Sequence, residues 1–161
     1  MAAIRSEFPV PRDQRRFEDY VPGSVFEFGT ISANESEMID FARRFDPQGM
    51  HMDPPAAANG PFGGLIASGW HTGALMMRLY AERYLPDAAS LSSPGLDELR
   101  WLRPVRPGDE LSVRTTVLDA RRSRSRPDRG LVTTLIEVLN QRQEVVMSVK
   151  AVNLMLARDA A

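Results

Sequence analysis

Cysteine is absent from all 161 residues, which excludes disulfides, thiolate metal sites and a cysteine nucleophile. Nothing therefore implies an oxidising compartment. Histidine is scarce too, with two in the chain. Neither sign of charge prevails: 20 basic residues face 21 acidic ones, and the formal net charge is −1. No global field thus favours nucleic acid or an anionic membrane, and the lack of a basic aromatic stripe disfavours a nucleic-acid module further. No run approaches the ~18 consecutive apolar residues of a membrane span. The first residues, MAAIRSEFPVPRDQRRF, hold no apolar core and carry acids among their bases, so they fit no secretory or organellar signal. A cytoplasmic location is the default expectation. The remainder, 43% hydrophobic and 25% charged, suits one soluble domain long enough to bury a core. We expect that domain over residues 23–161. The charged lead-in at 1–22 carries Pro9, Pro11 and Pro22. It reads as an arm that either packs on a neighbour or is loosely ordered.

The elements follow from periodicity. Residues 25–31 (VFEFGTI) alternate apolar and polar side chains and read as a strand. Ser32 and Glu35 have the spacing of a capping box, ahead of an amphipathic stripe at Met38, Phe41, Ala42 and Phe45. Asp46-Pro47 must end that helix, because the residue before proline is pushed out of the helical region. Asp53-Pro54 then reads as an N-cap with proline in first helical position, opening a short turn through Ala58. After the bend Gly60-Pro61-Phe62-Gly63-Gly64 comes a buried helical stretch from Leu65 to Tyr84, whose glycines at 69 and 73 fall four apart. Either something approaches the backbone closely there or the helix starts near Ser68. Residues 95–102, 110–120, 131–140 and 144–156 read as strands, and the short connections between them imply an antiparallel meander. The expected class is α+β, one antiparallel sheet wrapped around one long helix.

Both histidines lie in residues 45–80, and so do the candidate sites. Asp46 and His51 could hold one water between carboxylate and imidazole and accept its proton. The alternative is a helix-end aspartate capping backbone N–H groups beside an unrelated histidine. Ser68 and Gly69 could open a helix whose unpaired N–H groups stabilise a developing oxyanion, with glycine admitting a ligand to the backbone. A helix crossing at small residues would look the same. His71 lies in apolar sequence and reads as packing. A zinc site from His51, Asp53 and His71 is conceivable, although two histidines and no thiolate argue for no metal. Arg121, Arg122, Arg124, Arg126 and Arg129 crowd one turn. They could bind phosphates, with Arg122, Arg124 and Arg126 as candidates, or form a solvated hairpin loop. Trp70 and Phe62 could line an apolar pocket, as could Met76 and Met77; all could equally be core.

Across residues 45–71 the sequence resembles the MaoC-like dehydratases, which include (R)-specific enoyl-CoA hydratases. The family pattern is an acid, four residues, a histidine, an acid two positions on, an alanine-rich turn and a Phe/Gly/Ile…His-Gly lead into a helix. Asp46, His51 and Asp53 match its acids and histidine; Phe62, Ile66 and Gly69 match the lead. Residues 104–109 (PVRPGD) resemble the family's second recurring turn, and the likeness spans about residues 24–157. Two departures stand out: the usual Asn-Pro-(Leu/Ile)-His run is Pro47-Gln48-Gly49-Met50-His51, and the usual His-Gly is Ser68-Gly69.

The resemblance implies a hotdog fold in dimers or dimers of dimers. It implies hydration of a 2-enoyl-CoA, or the reverse dehydration of a 3-hydroxyacyl-CoA. Asp46 and His51 would activate water, and Ser68 and Gly69 would bind the thioester. Coenzyme A would arrive as part of the substrate, and no separate cofactor would be needed. A hotdog thioesterase and a non-catalytic acyl-thioester-binding protein are the rival expectations.

Overall fold

The computed structural model describes residues 2–158. Met1 and residues 159–161, the outer ends of the expected arm and domain, lie outside the described residues. Six strands form one sheet: β1 (Ile4–Arg5), β2 (Val25–Ser32), β3 (Ser90–Trp101), β4 (Glu110–Arg122), β5 (Arg129–Leu139) and β6 (Val145–Leu156). Their order is β1-β2-β4-β5-β6-β3. Four helices, α1 (Glu35–Phe45), α2 (Gly49–Met52), α3 (Pro54–Ala58) and α4 (Gly69–Leu79), separate β2 from β3. Alternation governs the central strands: β5 buries every second residue from Gly130 to Val138, with Val132, Thr134 and Ile136 inward.

The sheet wraps around α4. That helix buries His71, Thr72, Leu75, Met76 and Leu79. It continues into a single π-helical turn, Tyr80–Tyr84, closed by the Leu85 N–H donating to the Tyr80 carbonyl. Hydroxyls fasten this turn to the sheet: Tyr80 donates to Asn153 Oδ1 (2.7 Å), and Tyr84 shares a 2.6 Å bond with Thr134. On β2, Gly29 leaves room for Leu79, into which a β-carbon would project.

Two local expectations change, and one left open is decided. Ser32 is not a cap: it is the last residue of β2, paired with Glu110. The ladder holds its backbone extended, so α1 begins later, with Asn34 accepting from the Glu37 N–H (3.0 Å). Of the two starts expected for the central helix, Leu65 and near Ser68, the later holds: it begins at Gly69 with Ser68 as N-cap. The Ala67 N–H is drawn to the Val105 carbonyl (2.9 Å), which keeps residues 65–68 out of the helix. The meander covers three strands, not four. The β3 strand pairs with β6 at the far edge, and β4 takes β2 on its other side. Residues 102–109 are therefore a bridge across the ends of β6 and β5, a span of roughly 14 Å at ~4.8 Å per strand.

The lead-in lies against the body. Phe8 stacks on Phe26 (3.8 Å between centroids), Phe17 and Tyr20 are buried, and β1 pairs parallel with β2. Arg15 is buried without an acid: its Nη1 donates to the Arg83 and Tyr84 carbonyls (2.9 Å each) and its Nε to Val10 (3.2 Å). It thereby satisfies carbonyls at the end of the central helix, where a cation is favoured.

Candidate active site

Asp46 is the C-cap of α1. Its N–H closes the helix on the Ala42 carbonyl, and Pro47 turns the chain away. Residues 49–52 then make one helical turn and carry His51 inward. Two bonds fasten this turn to the strand-like run before α4. The Ile66 N–H donates to the Met50 carbonyl (3.1 Å), and His51 Nδ1 meets the Ile66 carbonyl at 2.9 Å. A carbonyl can only accept, so Nδ1 carries a proton, and in the tautomer this selects the lone pair is at Nε2. That atom lies 3.4 Å from Asp46 Oδ2.

The carboxylate is held from both sides. Ser68 Oγ donates to Oδ2 (2.7 Å) and Gln48 Nε2 to Oδ1 (2.6 Å). Gln48, with Ser68 next, keeps the Asp46 carboxyl below the ordinary carboxylate range; partial burial opposes them. Ser68 is wholly buried and also caps α4 by accepting from the Trp70 N–H (3.3 Å). The His71 and Thr72 N–H groups turn to the Ser68 carbonyl. The Gly69 N–H is the one first-turn donor left without a partner among the described residues.

Asp46, Gln48, His51 and Gly69 line a cleft of about 520 Å³ with Phe62, Ile66, Trp70, Trp101, Val105 and Val146. Trp70 and Trp101 meet edge to face, 5.1 Å between centroids. Met76 is buried in the core and Met77 faces outward, so neither lines it. Gly69 is glycine for a reason other than ligand access. A β-carbon there would fall inside 3.0 Å of three indole atoms of Trp101, whose Nε1–H donates to the Gly69 carbonyl (3.0 Å). The close approach expected from the glycine is real, and a tryptophan makes it.

Other candidates fall elsewhere. His71 is buried against Phe41 (4.9 Å between centroids), and burial pushes its imidazole pKa down. Asp53 caps α3, accepting from the Ala56 N–H (3.2 Å). His51, Asp53 and His71 do not gather, and no three His, Asp or Glu side chains converge among the described residues. The arginine turn is at the other end of the sheet. Leu154 borders its hollow while Val146 borders the cleft; eight residues of strand between them span roughly 26 Å. Within one chain, Arg122, Arg124 and Arg126 do not reach the cleft. Arg103 does line it, paired with Glu144 (3.1 Å). Trp101, Gln48 and Arg103 went unrecognised in the sequence. A tryptophan closing a strand and a turn with alternating prolines and arginines were the only signals.

The model of the MaoC like domain matches residues 16–139. This chain belongs to the MaoC-like dehydratase family. A MaoC-like dehydratase from Rhodospirillum rubrum superposes with a TM-score of 0.83 at 43% identity, covering 90% of this chain and 99% of the other. The R-hydratase PhaJ1 of Pseudomonas aeruginosa gives 0.68 at 28% identity over 89% and 86%. In sequence, Bacillus subtilis YdeM is 30% identical over 80% of this chain and 89% of its own. The 3-hydroxyacyl-thioester dehydratase Z of Mycobacterium tuberculosis is 33% identical over 58% and 62%. The MaoC-like chain is thus an α+β hotdog. Among its described residues, no helix is long and apolar enough to cross a membrane.

Proposed function

We propose that this MaoC-like chain is a hydro-lyase that adds water to a 2-enoyl-CoA, or removes it from the 3-hydroxyacyl-CoA. The observation that carries the reading is the pair of acceptors, Asp46 Oδ2 and His51 Nε2, 3.4 Å apart at the wall of the cleft. Two acceptors facing one space complement a single water, which can donate a hydrogen to each. Such positioning replaces a bimolecular encounter.

The steps balance without a redox partner. The water oxygen bonds to C3 as one O–H bond breaks and its proton passes to the Asp46/His51 pair. The C2=C3 electron pair moves into the thioester, leaving negative charge on its oxygen, and C2 then takes a proton back from the pair. The Gly69 N–H, at the positive end of α4, receives the thioester oxygen. Ser68 and Gln48 hold Asp46 ionised. The chemistry moves water and protons only, so it needs neither an organic cofactor nor a metal.

Loss of ultraviolet absorbance from crotonyl-CoA tests this. Asp46→Asn and His51→Ala should each lower kcat by about 10²–10⁴. Activity that survives both changes, or no enoyl thioester consumed at any chain length, ends the proposal. Release of free thiol in a trapping assay points to hydrolysis instead.

We also infer that the chain works in the cytoplasm as at least a dimer. Among the described residues the outer edge of β3 has no strand beside it, and Leu91, Leu96 and Trp101 are exposed along it. Such an edge invites a second copy. Light scattering should return at least twice the 18.0 kDa chain mass, and a monomer at all concentrations refutes the inference.

A further inference from the structure

Phe62 borders two spaces. It lines the catalytic cleft, and it also lines a separate hollow of about 240 Å³. That hollow is otherwise bounded by Gly49, Met50, Ala56, Ala57, Gly60, Pro61 and Gly64. No charged or polar side chain is among them. Small residues leave the volume open, and Met50 is a flexible filler that adapts to a guest. Gly49 and Met50 belong to the segment between Asp46 and His51, so the hollow backs directly onto the catalytic turn.

The backbone at this partition is held by hydrogen bonds. Arg106 donates from Nη2 to the Phe62 carbonyl (2.6 Å) and from Nη1 to the Gly64 carbonyl (3.1 Å). Gly63 and Gly64 turn the chain at φ 63° and 155°. The Phe62 ring is 42% exposed, and it stacks on no other aromatic ring among the described residues. The clamped backbone fixes where Phe62 stands between the two spaces.

We propose that Phe62 divides the acyl-binding space in two, and that the hollow behind it receives the distal methylenes of an unbranched, medium-length acyl chain. This subsite rests on the acyl-thioester reading above. The occupant follows from position and lining. The reacting carbons must lie at Asp46 and His51, and the hollow on the other side of Phe62 offers contact to hydrocarbon and no polar side chain to partner a polar tail. Each methylene passing the ring should strengthen binding about fourfold, or roughly 15-fold per two carbons.

Saturated acyl-CoAs from butanoyl to decanoyl, which cannot be hydrated, report on the subsite by calorimetry. The wild-type series should show a break where the chain reaches Phe62, and then a renewed gain. Ala56→Leu fills the hollow from an exposed position and should cut the ratio of decanoyl to butanoyl affinity at least tenfold. Phe62→Ala merges the spaces and should erase the break. The two changes are independent, so misfolding of one leaves the other as the test. A wild-type series with no gain beyond the cleft overturns the proposal, and so does an Ala56→Leu slope equal to wild type. Binding with the expected slope but no turnover of enoyl thioesters would sink the hydro-lyase reading and leave the subsite standing. Turnover indifferent to chain length would do the reverse.

Discussion

Gly69→Ala is the most discriminating single change. If the glycine serves only to admit a ligand, alanine there should leave the free protein's stability untouched or improved, since helices favour alanine over glycine by up to about 1 kcal/mol. The structure requires otherwise. The new β-carbon would overlap three indole atoms of Trp101, so the ring must leave its seat. Overpacking of this kind costs about 1–3 kcal/mol. Release of the Trp101 Nε1–H from the Gly69 carbonyl adds about 0.5–1.5 kcal/mol at most. Trp101 is 45% exposed and can swing toward solvent, which places the expected net loss near the low end, about 1–2 kcal/mol. The decisive assay is a double-mutant cycle by urea denaturation. In a Trp101→Ala background the obstacle is gone, and Gly69→Ala should become neutral or stabilising, giving a coupling of about 2 kcal/mol. Equal cost with and without Trp101 would refute the packing argument, and no cost in either background would restore the ligand as the reason for the glycine.

Further predictions concern the groups around Asp46 and the lead-in. Ser68→Ala removes a helix cap and a hydrogen bond to a carboxylate. It should cost about 1–3 kcal/mol by denaturant titration and lower kcat/KM, whereas an unchanged midpoint would remove Ser68 from both roles. Gln48→Leu removes the largest influence holding the Asp46 carboxyl down. The sign is fixed. A depressed folded pKa contributes stability present above the unfolded value and lost as pH falls through the folded one. In Gln48→Leu that contribution should be smaller and its loss complete at higher pH, and the acidic limb of kcat/KM should move up; a limb that stays put or moves down contradicts the geometry. Arg15→Ala strips the buried guanidinium from three carbonyls and from the Phe8 ring beneath it. It should destabilise by about 2–4 kcal/mol, and a loss below about 0.5 kcal/mol would show that the lead-in docks without it.

Local chemistry and tertiary context divided the rest between them. Proline after Asp46 and proline after Asp53 act through sterics on their own neighbours, and both boundaries are found where the sequence puts them. Period-two alternation located β2, β4, β5 and β6, because one face of each must meet the core. The Asp46–His51 spacing was legible as a pair only in the company of the rest of the family pattern. Ser32 lost its capping role to the β2–β4 ladder, since a residue paired at a strand end cannot also open a helix.

What the sequence determined by itself is therefore most of the elements, the two proline-set helix boundaries and the family. Those depend on forces acting within a few residues. Only the tertiary structure decided that β3 pairs with β6, that Trp101 occupies Gly69, that Gln48 and Ser68 grip the two oxygens of Asp46, and that the arginine turn stands a sheet's length from the cleft. Each of these joins groups brought together by strand order, by a hydrogen bond across the fold or by a shared cavity. Composition and periodicity carry no term for such contacts, because they are set by how the whole chain closes around its helix.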